Sequence, residues 1–363
     1  MNYSLVIALL WGSLLFGQVE EQNPYSLDAN FFYGTVLEHN TEIADLITEH
    51  PTGLIFSYNR MTYGFNDWEA RYNYPDFGAS FIFQDLKNNA LGKNYGLYGH
   101  FNFYFLNRRL MARIGQGVAL ASNPFDLERN FKNTAYGSKL LSSTFLMLNY
   151  KKPNILGRIG LQAGLSLVHY SNANIKAPNT STNTFAFNVG VNYSWVEDDL
   201  PAYIPQKRTT LIEPLRFNLV LRGGVNESDY VGVGQQPFLI VSSFVDKRIN
   251  PKSTLQAGVD FFFSKFLQKE IAYKSIAFPE FGVRGDEDWK RIGLFAGHEL
   301  RFNKIAFVTQ VGYYMYYPYD FEGRVYFRAG LKRYLTEKIY LAVTLKSHFA
   351  KAEAVEFGLG IRL

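Results

Sequence analysis

The chain has 363 residues, 17% of them aromatic, with 32 phenylalanines, 25 tyrosines and no cysteine. A mean hydropathy of −0.13 and the lack of any internal apolar run of ~18 residues exclude a bundle of membrane helices, and the missing thiols exclude disulfides, cysteine nucleophiles and cysteine-bound metals. The net charge of +5 is spread without a basic cluster, so no nucleic-acid partner is expected, whereas anionic lipid headgroups stay open.

The first residues, MNYSLVIALLWGSLLFGQ, carry an apolar stretch from Leu5 to Phe16, then small Gly17 and the acidic VEEQ. This pattern predicts a signal peptide over residues 1–18. Beyond it, segments of period two follow one another almost to the last residue: FNFYFL from Phe101, RIGLQAGLSLVHYS from Arg158, TFAFNVGVNYSW from Thr184 and RFNLVLRGGV from Arg216. Four more are LQAGVDFFF from Leu255, KIAFVTQVGYYMYY from Lys304, RVYFRAGLKRY from Arg324 and IYLAVTLKSHF from Ile339. A closing strand, VEFGLGIRL, ends the chain at Leu363.

About 14–16 such segments (with 12 as the alternative) separated by turn residues predict an all-β fold, an antiparallel up-and-down transmembrane β-barrel. A single barrel domain over residues 19–363 is expected. Connections alternate between tight ones (Asn107-Arg108, Asn303-Lys304) and long ones (Asn123–Ser138, Asn172–Asn183, Lys265–Asp288), as short periplasmic turns and long exterior loops would. Asn40–Pro51 and Trp195–Arg208 read as irregular insertions. With the C-terminus in the periplasm, the strand ending at Ser171 runs outward.

That strand also carries the candidate chemistry. Its odd positions are Ile159, Leu161, Ala163, Leu165 and Leu167, then His169 and Ser171; its even positions are mostly small and polar. A histidine and a serine thus stand in a register that should face lipid, and residues two apart share a face. A serine hydroxyl needs a base to take its proton and a third group to hold that base in the right tautomer. If the loop closes a hairpin centred near Ala177, Asn183 comes opposite Ser171 and close to His169, and its amide oxygen can accept the imidazole N–H.

The stretch HYSNANIKAPN resembles the lipid A 3-O-deacylases, also described as acyloxyacyl hydrolases, outer-membrane barrels with a His-x-Ser-Asn motif. The upstream RIGQGVALASNPFDLERNFKNTAYGS is similar to longer Bacteroidetes members, and the specific resemblance covers roughly Gly115–Tyr193. It implies His169 as general base, Ser171 as nucleophile and Asn172 at the oxyanion site. The family's third member is a glutamate fourteen residues past the histidine, where this chain has Asn183. Outer-membrane phospholipase A shares the His-x-Ser-Asn spacing and has an asparagine at that distance. It also binds calcium through an acidic loop residue, where this chain offers Lys176 and Asn179; no cofactor is expected, and calcium is a weak expectation.

The resemblance implies an esterase releasing an acyl chain from lipid A, or from a phospholipid, in the outer leaflet of a Gram-negative outer membrane. The acyl chain would lie along Leu165, Leu167 and Phe187, with Lys132, Lys139 and Lys176 toward lipid phosphates. The competing class is a non-catalytic barrel, either a channel or an inactive relative. Other motifs carry less. GHEL at Gly297–Leu300 has Phe302 where a zinc protease needs a second histidine. His348, Lys346 and Glu356 fall on the polar face of the last hairpin and read as a lumen charge network.

Overall fold

The computed structural model describes residues 24–39, 41–195, 202–206, 211 and 213–363. The signal peptide expected at 1–18 lies outside the described residues.

Among the described residues sixteen strands form, all antiparallel to their neighbours, and they close twice. The first ring comprises β1 (Tyr25–Val36), β2 (Thr52–Arg60), β3 (Asp76–Asp85), β4 (Lys93–Phe105), β5 (Leu110–Ala121), β6 (Leu140–Leu156), β7 (Ile159–Ser171) and β8 (Thr182–Trp195). It shuts when β8 pairs back with β1, from Tyr25 opposite Trp195 to Val36 opposite Thr184. The second comprises β9 (Arg216–Asn226), β10 (Gln236–Arg248), β11 (Ser253–Ser264), β12 (Arg291–Phe302), β13 (Ile305–Tyr316), β14 (Val325–Tyr334), β15 (Ile339–His348) and β16 (Lys351–Arg362). There β16 pairs with β9.

The strand total matches the expected range, but the single barrel expected over 19–363 is corrected to two eight-stranded barrels. The physical reason is that β8 spends its free edge on β1 and has none left for β9. Trp195–Arg208, read as an insertion, belongs to the segment joining the two rings.

Both barrels are inverted relative to a soluble protein. In the first, outward Phe31, Leu97 and Phe187 are exposed, Leu97 at 62% and Phe187 at 59%, while inward Asp28, Asn59, Asn102 and Arg113 are buried. An apolar exterior around a polar interior is the pattern of a barrel dissolved in lipid. Among the described residues no helix is long and apolar enough to cross a membrane.

The lumens are filled. Arg113 donates to Asp28 at 2.7 Å, to Asn102 at 2.6 Å and to Asn59 at 2.8 Å. Inward glycines of β7 and β8 make room for larger polar partners: a Cβ at Gly190 would run into the Asn30 carboxamide, and one at Gly164 into Asn149. The second lumen is more heavily charged. Arg328 bridges Asp260 at 2.9 Å and Glu356 at 2.6 Å, Lys346 meets Glu353 at 2.8 Å, and Lys332 meets Glu299 at 3.0 Å. His348, Lys346 and Glu356 therefore do lie in a buried network, though Glu356 takes Arg328 as its partner.

Call the end holding Tyr25 and Arg362 the near end, and that holding Ser171 and His348 the far end. Three short helices sit at these ends: α1 (Thr41–Ala44), α2 (Asp67–Arg71) and α3 (Lys265–Ala277). The last occupies much of Lys265–Asp288, expected as a long exterior connection. Its Phe266, Leu267 and Ile271 share one helical face and bury against Tyr319 and Phe321 over the far mouth of the second barrel.

The barrels stand side by side with like ends together. At the near end the Tyr72 ring stacks on Phe302 with centroids 4.2 Å apart, and its hydroxyl donates to the Arg301 carbonyl at 3.0 Å. The far-end contact falls on the candidate site.

Candidate active site

The β7–β8 ladder sets the site. Leu165 faces Phe187, Leu167 faces Phe185, and His169 faces Asn183. Asn183 is thus directly opposite His169, not Ser171, because the hairpin centre lies one residue earlier than Ala177. The offset improves the pairing: His169 Nδ1 and Asn183 Oδ1 are 2.7 Å apart. An amide oxygen only accepts, so Nδ1 carries the proton and Nε2 keeps its lone pair. Inside the barrel, Ser143 donates to the His169 carbonyl at 2.6 Å and fixes the strand beneath the imidazole.

Ser171 keeps the outward register but is only 5% exposed, covered by its own loop. Its hydroxyl donates to Asn179 Oδ1 at 3.0 Å and accepts from the Ala173 N–H at 2.9 Å. Among the described residues, no hydrogen bond joins it to His169. The Asn172 backbone N–H donates to the same Asn179 oxygen at 2.9 Å. The Asn172 side chain is committed to the loop: its amide donates to the Lys176 and Pro178 carbonyls, and its oxygen accepts from the Asn174 N–H at 3.0 Å. The Asn172 carboxamide, implied by resemblance at the oxyanion site, is thus tied to the loop, while its backbone N–H lies beside the serine.

Three further residues extend the polar patch, and sequence reading missed them. Ser142 pairs with Ser171 and Thr144 with His169 across β6, and Gln116 pairs with Thr144 across β5. Thr144 donates to Gln116 Oε1 at 2.5 Å, and Gln116 Nε2 donates to Ser142 at 3.2 Å. The signal was available: Gln116 interrupts the outward apolar series Ile114, Val118, Leu120, just as His169 interrupts its own. Below this polar notch the outward face is greasy, with Leu146, Leu148, Leu165, Phe185 and Phe187 exposed.

The loop from Asn172 to Ser181 is braced by the one preceding β6. Gly137 N–H donates to the Pro178 carbonyl at 2.7 Å and Thr180 N–H to the Thr134 carbonyl at 3.1 Å. His39 also reaches it, with Nε2 2.9 Å from the Thr180 carbonyl. Lys132, Lys139 and Lys176 are exposed in these far-end segments. Beside Lys176, the Asp126 carboxyl is held below its ordinary range by the backbone N–H groups of Arg129 and Glu128, with the Arg129 and Lys176 charges adding to this. Glu299 of the GHEL stretch is used up inside the second barrel by Lys332 and Tyr334.

Among protein families, residues 52–192 match lipid A 3-O-deacylase (PagL), and residues 215–363 match the acyloxyacyl hydrolase C-terminal domain. The first match falls within the first barrel, and the second takes in all of the second barrel. No curated protein is similar to the chain in sequence. Among solved structures, Neisserial surface protein A (NspA) aligns at 14% identity with a TM-score of 0.28, over 47% of this chain and 96% of that one. A mutant of the Rh. blastica porin aligns at 11% identity with a TM-score of 0.21, over 93% of this chain and 100% of that one.

Proposed function

Because the chain belongs to the lipid A 3-O-deacylase (PagL) family, we propose that it is an outer-membrane serine esterase that hydrolyses an ester-linked acyl chain of lipid A. Ser171 is the nucleophile, His169 the general base, and Asn183 the group that orients it. The observation carrying this reading is the 2.7 Å His169–Asn183 contact on the outward, lipid-facing side of β7 and β8.

In this mechanism the Ser171 hydroxyl exchanges its Asn179 acceptor for His169 Nε2. The imidazole takes the proton as Oγ bonds to the ester carbonyl carbon, and the carbonyl oxygen takes up the charge. That oxygen settles against the Asn172 backbone N–H, where Asn179 Oδ1 now sits. Collapse of the intermediate breaks the ester C–O bond, His169 returns the proton to the leaving alkoxide, and an acyl-serine remains. Water, deprotonated by His169, then releases the fatty acid. Asn183 fixes the tautomer but supplies no negative charge to the imidazolium, so it does less than a carboxylate would.

The substrate arrives laterally in the outer leaflet, with its acyl chain on Leu165, Leu167 and Phe187 and its phosphates toward Lys132, Lys139 and Lys176. A channel reading has less support, since both lumens are occupied by paired side chains. Mass spectrometry of lipid A from cells expressing the wild-type chain or Ser171→Ala tests the proposal. Loss of an acyl chain with the former alone supports it; the same lipid A in both refutes it. Asn183 favours a phospholipase as the second reading, and a parallel assay on phospholipid vesicles with and without chelator separates the two.

A further inference from the structure

The second barrel reaches the proposed active site through Glu227 and its neighbour Gln235. Glu227 follows β9 at the far end and is 5% exposed. Its Oε2 accepts the Ala177 N–H at 3.1 Å, its carbonyl accepts Asn174 Nδ2 at 2.9 Å, and its N–H donates to the Asn174 carbonyl at 3.0 Å. Its other carboxylate oxygen accepts the Gly234 N–H at 2.9 Å, which ties the side chain to its own loop. Gln235 adds a fourth bond across the barrels, donating to the Ile175 carbonyl at 2.8 Å. Ala177 lies between Lys176 and Pro178, whose carbonyls hold the Asn172 side chain; Asn174 N–H donates to that side chain, and Asn172 N–H shares Asn179 with the Ser171 hydroxyl.

We infer that Glu227 is a positioning residue for hydrolysis: the second barrel clamps the loop after Ser171 and holds the Asn172 N–H where the oxyanion forms. A loop of this kind, carried only on its own hairpin, would fray at the rim and lose the alignment that oxyanion stabilisation requires. The carboxylate suits the task because it accepts from two segments at once, Ala177 beside the first barrel and Gly234 beside the second. The inference rests on the esterase reading for its catalytic consequence but not for the clamp itself.

The test uses the full-length protein refolded in detergent, with micellar p-nitrophenyl palmitate and lipid A as substrates and amide hydrogen exchange of residues 172–178 as a second readout. In Glu227→Ala, exchange in that segment speeds up about tenfold and kcat falls about tenfold while KM stays within about twofold, as expected when alignment and not binding is lost. Glu227→Gln keeps one acceptor oxygen and recovers part of both. Gln235→Ala, an exposed and milder change, moves both readouts in the same direction by about threefold. Unchanged exchange in Glu227→Ala and Gln235→Ala overturns the clamp, and faster exchange with unchanged kcat overturns its positioning role. If Ser171→Ala still hydrolyses both substrates, the esterase reading fails, while exchange continues to judge the clamp.

Discussion

Asn179 holds Ser171: one carboxamide oxygen accepts the serine hydroxyl at 3.0 Å and the neighbouring Asn172 N–H at 2.9 Å. It occupies the place that a substrate carbonyl oxygen would take in the mechanism above. Replacing Asn179 with aspartate puts a negative charge at that place and strengthens both bonds, since hydrogen bonds to a charged group are worth ~1.5–3 kcal/mol against ~0.5–1.5 for neutral pairs. Asn179→Asp is expected to lower kcat by about tenfold or more. Steady-state hydrolysis with the purified variant checks this, and an undiminished rate would show that the oxygen site lies elsewhere.

Among the described residues, Asn183 alone gives the His169 imidazole a side-chain hydrogen-bond partner. Asn183→Leu leaves Nδ1–H without its acceptor and frees the ring to turn, so kcat should fall ~10²-fold, less than the ~10⁴ lost when a charged orienter is altered. Asn183→Glu restores the carboxylate found in the deacylases this chain resembles and should raise kcat above wild type. In wild type the rate should decline with acid, because a protonated imidazole has no lone pair for the Ser171 proton. A flat profile would remove His169 as base.

Phe187 is 59% exposed at the middle of β8. If lipid covers it, Phe187→Arg should destabilise folding into vesicles by ~2–4 kcal/mol. Urea titration of refolding into phosphatidylcholine vesicles measures this. Neutral behaviour would mean that the face meets water.

Arg113 and Asp28 form a fully buried pair inside the first barrel. Arg113→Met strands the Asp28 carboxylate and should cost ~3–5 kcal/mol, whereas the double variant with Asp28→Leu should recover most of that loss. The same urea titration distinguishes them. Equal stability of single and double variants would assign the pair no role beyond filling space.

Local alternation in the chain disclosed the strands, the exposed apolar face and the odd placement of His169 and Ser171. It also brought Asn183 to the histidine, one pairing step from where the hairpin put it. Closure was not legible, because Tyr25 meets Trp195 across the whole first half of the chain and side-chain period says nothing about which edge a strand finds. Asn179 and Glu227 were hidden for a different reason: both sit in loops, where neighbours depend on turn geometry and not on register. Gln116, by contrast, stood in plain view as a polar residue in an apolar series.

Because each sheet ends by pairing with its own first strand, no half of the molecule waits for the other to hide an unpaired edge. Each cylinder therefore completes its hydrogen bonding by itself, and the contact of Glu227 with the loop around Ser171 is one between two already sealed units.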